Sequence, residues 1–179
     1  MTTDSFVSKY DYKLNILQEN IEFLIYSLIC FFVPFLFSHQ FAVGIVVNCT
    51  LILAALNLKN YKMIPAIIFP SLGVLAAGAV FGNFTNYLVY LIPVIWIGNT
   101  ILVFSMKYLY LQKNISRWVV LLIGASAKAL FLFTSAYIFF SFEIVPKIFL
   151  TTMGLYQLYT ALIGGIFAIS IQTLKKKLN

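Results

Sequence analysis

Apolar residues along this chain come in six long runs. At roughly 17–25 residues apiece, the length that crosses a hydrocarbon core, they fall at about 21–37, 41–58, 63–82, 87–106, 117–141 and 147–172. The breaks between them are short and carry turn or charge chemistry: Ser38 to Gln40, Lys59 to Lys62, Gly82 to Asn86, Lys107 to Ser116, and Ser141 to Pro146. Irregular backbone facing lipid leaves amides unpaired, so each run is predicted to be a helix. The pattern therefore predicts an all-α integral membrane protein. A bundle of six transmembrane helices occupies 21–173, between a polar N-terminal segment, 1–20, and a basic tail, 174–179.

Composition agrees and removes several function classes. Of 179 residues, 62% are hydrophobic and 9% charged, against about 25% charged in soluble proteins. So little polar cover does not wrap a soluble globule of this size. The two cysteines, Cys30 and Cys49, both sit in apolar runs and do not make a disulfide framework, a zinc site or an iron–sulfur cluster. The single histidine does not supply a bis-histidine haem, and no Walker A sequence is present. No cofactor is expected.

The net charge of +7 reads as a topology signal, not as a nucleic-acid surface. With both termini inside, the inner segments hold Lys9, Lys13, Lys59, Lys62, Lys107, Lys113, Arg117, Lys175, Lys176 and Lys177, and the outer loops hold only Lys147. Ten against one predicts cytoplasmic termini. The first twenty residues lack a short apolar core followed by a cleavage site, so an uncleaved N-terminus is expected. Phe6, Tyr10, Leu14 and Leu17 would share one face of a short interfacial helix. Lys175 to Lys177 fit an anchor to anionic lipid. Tyr61, Tyr87, Tyr108, Tyr110 and Trp118 fit an aromatic belt near span ends.

The twelfth cation, Lys128, lies inside span 5. It stands eleven residues from Arg117 and thirteen from Ser141, roughly 16 Å and 20 Å along a helix. Snorkelling from that depth is strained. Either Lys128 holds the bundle together through helix carbonyls, or it is the cation of a cavity that receives an anionic or carbonyl-bearing ligand. Counted from the outer side, Asn48 lies about 10 Å deep in span 2, Asn99 about 18 Å deep in span 4, and Gln157 about 15 Å deep in span 6. Four polar side chains from four helices thus share one slab. Interhelical amide hydrogen bonds are also common structural glue.

Helical faces sharpen the picture. Met153, Gln157, Thr160 and Gly164 form one small-or-polar stripe in span 6. Gly124 precedes Lys128, and Gly44 precedes Asn48, by one turn. Such glycines either open room for a ligand beside each polar group or let helices approach closely. Trp96, one turn before Asn99, is a stacking wall or a plain core aromatic. His39 is a solvated loop residue or a gate at the outer mouth. Gly78-x-x-x-Gly82, Ala125-x-x-x-Ala129 and Ala161-x-x-x-Gly165 are spaced for close helix approach. The density of small residues in 73–82 predicts a tightly buried span 3 or a face offered to a partner.

Six short-looped helices in about 180 residues, basic inside, resemble the membrane-embedded S components of energy-coupling factor (ECF) vitamin transporters. The local matches are Gly44-x-x-x-Asn48, Ile97-Gly98-Asn99, Lys128-Ala129-Leu130-Phe131 and Gln157-Leu158-Tyr159-Thr160-Ala161-Leu162-Ile163-Gly164-Gly165. They resemble a subgroup often labelled "iron hydrogenase", a label that two cysteines in apolar runs do not support. The resemblance spans roughly residues 22–172. It implies a substrate-binding subunit, not itself an enzyme, that captures a small molecule such as a vitamin or precursor from the outer side. The partners implied are a transmembrane coupling protein and two cytoplasmic ATPases, in the plasma membrane of a bacterial cell. Lys128, Asn99, Asn48 and Gln157 would line the site, with Thr160, Trp96 and His39 as further candidates. S components commonly dock through an Ala-x-x-x-Ala patch in the first helix. Span 1 here has neither Ala nor Gly, which moves the expected docking face to span 3 or another small-residue surface.

Three other readings compete. A stand-alone transporter or channel is disfavoured because neither an internal repeat nor a discontinuous helix pair is visible. A membrane enzyme would need a nucleophile–base pair or metal ligands within the spans. The spans contain no Asp, Glu22 sits at the inner edge, and Ser126 and Lys128 are two apart and point away from each other. A structural subunit of a larger complex stays open.

Overall fold

The computed structural model describes residues 14–178. Its elements are helices, with no strand among the described residues. Six helical segments are long and apolar enough to cross a membrane, so the chain is a multi-pass membrane protein. The helices are α1 (Ile16–Leu36), α2 (Gln40–Asn57), α3 (Ile64–Ala77), α4 (Leu88–Ser105), α5 (Arg117–Ser141), α6 (Ile148–Met153) and α7 (Leu155–Leu178).

Several ends differ from the sequence pattern. Helix α1 starts five residues early, because Asn15 accepts from the Gln18 amide while the Gln18 side chain accepts from the Asn15 amide, a complete capping box. The polar segment expected over 1–20 therefore contributes its last residues to span 1. Of the suggested interfacial face, Leu17 belongs to α1, whereas Phe6 and Tyr10 lie outside the described residues. Span 3 ends at Ala77 instead of 82, with Gly78 as a left-handed cap at φ 68°. A 3₁₀ helix, Gly82–Tyr87, leads into α4. Beyond Ser105, span 4 runs on as a π-helical stretch, Met106–Gln112, where a loop was expected. Lys107 in that stretch is buried, and its Nζ donates to the Leu58 carbonyl at 2.7 Å.

The packing motifs divide. Ala125 and Ala129 are both buried, as is Ala161, and a Cβ on Gly165 would run into the Leu121 side chain. Gly78-x-x-x-Gly82, in contrast, is no packing motif. Both glycines have positive φ, and neither has anything within 4 Å of a notional Cβ. They form the turn out of α3, and span 3 is the least buried of the six.

Span 6 is discontinuous, contrary to the continuous helix expected. Gly154 separates α6 from α7 at φ −99°, ψ −98°. A Cβ there would lie 2.8 Å from the Leu150 carbonyl oxygen and 2.9 Å from the Phe133 ring, so only glycine fits. This is a single interruption, not the repeated pair that inverted-repeat transporters use.

The six spans close into a ring in which each packs on two others: α1 on α2, α2 on α7, α7 on α5, α5 on α4, α4 on α3, and α3 back on α1. Helix α2 also reaches across to α4. It is the most enclosed span, and residues Thr50 to Leu58 are all buried. Its apolar character on every side suits that central place. Successive spans alternate in direction. Both ends of the described chain therefore lie at one end of the bundle, the terminal end. The junctions around 37–39, 78–87 and 142–154 lie at the other, the far end.

At the terminal end, Glu22 gathers Tyr26, Asn57 and Lys175, and Asn57 in turn accepts from Gln172 at 2.8 Å. Glu19, also buried, faces Lys62 at 3.4 Å and Lys59 at 3.8 Å. These ties clamp α1, α2 and α7 at one end and leave the far end to the site.

Candidate functional site

Lys128 is 2% exposed and among the largest fully enclosed side chains. An ammonium so placed needs oxygen partners, and two neighbouring helices supply them. Its Nζ donates to Asn48 Oδ1 at 2.6 Å and to Asn99 Oδ1 at 2.8 Å. The sequence placed these three in one slab, centre to outer half; the fold brings them into one hydrogen-bonded cluster.

Each amide is itself fixed. Asn48 Nδ2 donates to the Gly44 carbonyl at 2.9 Å and to Thr160 Oγ1 at 3.1 Å. The Thr160 hydroxyl in turn donates to the Tyr156 carbonyl at 2.7 Å. Asn99 Nδ2 donates to the Ile67 carbonyl of α3 at 2.9 Å. Pro70 lies within α3 and has no N–H to offer the preceding turn. Beside it, carbonyls 67 and 68 both accept from α4 side chains, the second from Trp96 Nε1 at 3.3 Å. Every polar partner of Lys128 is thus oriented by a bond to another element, as pre-organised sites are.

The cluster forms the floor of a cavity. The cavity has a volume of about 70 Å³. That is below the roughly 300–1,000 Å³ of most small-molecule pockets, so the space is slender. Lys128, Asn99, Asn48, Gln157 and Thr160 all line it. It rises from Lys128 toward the far end, past Val47 and Val43 to Gln40 on α2. The eight residue steps from Asn48 to Gln40 cover about 12 Å. Phe81, Leu88, Met153 and Tyr156 stand at the upper walls.

The span 6 stripe survives the helix break. Met153 on α6 and Gln157 and Thr160 on α7 all face the cavity, while Gly164 packs on α2. The Gln157 side chain has no hydrogen bond within the protein among the described residues, leaving its amide available. Helix α6 covers the mouth from one side. Phe149 is fully enclosed against Phe81, with ring centroids 5.2 Å apart, and the Thr152 carbonyl accepts from Gln40 Nε2 at 3.3 Å.

Two candidates fall outside the lining. Trp96 stands behind the wall, where its Nε1 donates to Ser71 Oγ at 2.8 Å, and Ser71 is the residue that reaches the cavity. His39 is exposed at the start of α2 and makes no capping bond; its neighbour Gln40 lines the mouth instead. The glycines also divide. Gly44 lines the cavity, although the Thr160 side chain occupies the space beside it, and Gly124 packs on Ser105 and Leu102, away from the ligand space. Ser126 is exposed while Lys128 is buried, as their spacing required.

Sequence reasoning missed Ser71, Val43, Val47, Val74, Phe81 and Ile95 as lining residues. Gln40, Val43 and Val47 were within reach, because they continue the Gly44–Asn48 face at helical spacing. Phe81 was not, because it lies in a turn that the pattern assigned to a helix. No family model matches the chain, and no curated protein or solved structure matches it.

Proposed function

We propose that this protein captures a small molecule from outside the cell in the cavity above Lys128, as the substrate-binding subunit of an ECF-type importer. One observation carries the reading: the buried Lys128–Asn48–Asn99 cluster stands on a cavity wall and not in solid packing. A purely structural lysine would draw on the same two hydrogen bonds but would have no reason to border empty space with an unbonded Gln157 beside it. Charge sets the orientation. With cytoplasmic termini, the far end and the cavity mouth face outward, in accord with the basic inner segments. The membrane is then the plasma membrane of a bacterial cell.

On this reading the chain performs no chemistry itself. A transmembrane coupling protein and two cytoplasmic ATPases supply the energy, and the cavity supplies selectivity. The coupling protein meets a small-residue surface other than span 1, which has no Ala or Gly. The Gly78/Gly82 pair is not that surface, since it forms a turn. The test is purification of the tagged protein from its native membrane in mild detergent, with mass spectrometry of the proteins retained. Co-purified coupling and ATPase subunits are expected. Recovery without them, but with a bound metabolite, would leave a stand-alone transporter; recovery with neither would favour a structural subunit.

A further inference from the structure

If the cavity is a capture site, its walls also specify what enters and which end goes first. Lys128 is the only charged side chain among the eighteen residues that line it. Two of its three N–H bonds go to Asn48 and Asn99. The third has no acceptor among the described residues. Both amides present their oxygens to the ammonium and commit their nitrogens elsewhere: Asn48 to Gly44 and Thr160, Asn99 to Ile67. The floor is therefore a single positive charge held by neutral dipoles, with no carboxylate in the lining. A buried charge without a counter-charge is poorly compensated, and hydrogen bonds from neutral groups replace only part of what water gave it.

Above the floor the chemistry reverses. Val43, Val47, Val74, Val80, Phe81 and Ile95 make the walls mostly apolar as the space rises about 12 Å to the mouth, where Gln40 and Tyr156 add polar groups, and Ser71 is a polar group in the wall. At about 70 Å³ the space is slender.

We infer that the ligand is a slim amphipathic monoanion, a carboxylate on an unbranched apolar body, seated carboxylate-first on Lys128. One cation with one spare N–H matches a single negative charge and not the double charge of a phosphate monoester. The apolar body fills the upper walls, and any polar substituent on it meets the Gln157 amide at the side. This rests on the capture reading given above and adds the charge, shape and direction of the ligand.

The test uses three molecules with one chain and different heads: octanoate, octanamide and octylamine. Each is titrated calorimetrically into the full-length protein in phosphatidylcholine nanodiscs, with empty nanodiscs subtracted. Octanoate is expected to bind about ten-fold tighter than octanamide, or better, and octylamine not at all. In Lys128→Met the advantage of octanoate over octanamide should disappear. If that variant fails to fold, the wild-type ranking still decides. Equal binding of octanoate and octanamide would overturn the charge assignment while leaving capture at the cavity intact. Tighter binding of octylamine would overturn it outright. Absence of binding by all three would overturn the monoanion class, whereas a metabolite of another class retained on native purification would still support capture.

Discussion

A lysine at 2% exposure inside a transmembrane helix dictates what its neighbours must supply. Insertion of such a charge at mid-depth costs a few kcal/mol, so the helices around it must supply oxygen. Asn48 and Asn99 do so, and each is oriented by a further bond. Asn99→Leu removes an acceptor from Lys128 and a donor from Ile67, and is expected to destabilise the protein by about 2–4 kcal/mol, read from denaturation in detergent. Trp96→Phe loses only the bonds to Ser71 and Ile68. It should cost about 1 kcal/mol and leave ligand capture unchanged, because Trp96 stands behind the wall. A capture defect in Trp96→Phe would show that the wall is misassigned. At this scale the sequence was informative, since a buried cation and deep amides are rare enough to be seen one by one. Depth along a helix was readable from residue counts. Which oxygen meets which nitrogen was not, because that depends on how six helices are rotated against one another.

The elements were legible as runs and illegible at their ends. Hydropathy marks where lipid begins, whereas local backbone chemistry decides where a helix stops. The Asn15–Gln18 capping box carried α1 back to Ile16, and Gly78 in the left-handed region stopped α3 at Ala77. The Gly154 break has no hydropathy signature, since Leu150 to Leu155 read as continuous helix apart from one glycine. Where helices touch, glycines differ by what they touch. A Cβ on Gly164 would meet backbone atoms of α2, the Ile45 oxygen at 2.6 Å and the Cys49 nitrogen at 2.8 Å, which cannot give way without moving the helix. On Gly165 it would meet the end of the Leu121 side chain, which can turn aside. Gly164→Ala is therefore expected to lower stability by about 1–3 kcal/mol and Gly165→Ala by less. Because Asn48 rides on the displaced helix, Gly164→Ala should also weaken capture. Equal melting temperatures for the two variants would contradict this packing of α2 on α7.

The whole molecule separates two tasks by position. The terminal end is tied by Glu22, Asn57, Gln172 and Lys175 across three helices, and the far end holds the slender cavity. The ring order α1-α2-α7-α5-α4-α3 was not readable from the sequence, because nothing in one apolar helix specifies its neighbour. Charge predicts which end faces inward: ten cations lie in the segments expected inside and one in the loops expected outside. Reporter fusions at residue 1 and residue 179 should both be active on the cytoplasmic side, and one placed in the 142–147 loop on the outer side. A terminus found outside would turn the cavity mouth inward and end the import reading. The central claim is that Lys128 holds a ligand, and the direct measurement compares wild-type protein with Lys128→Met, both purified in parallel from native membranes. Small molecules released from each are quantified by mass spectrometry, with melting temperature as the check on folding. The account predicts a metabolite released from the wild-type protein and none from a Lys128→Met protein that is still folded. The same metabolite retained in equal amount by both would contradict it.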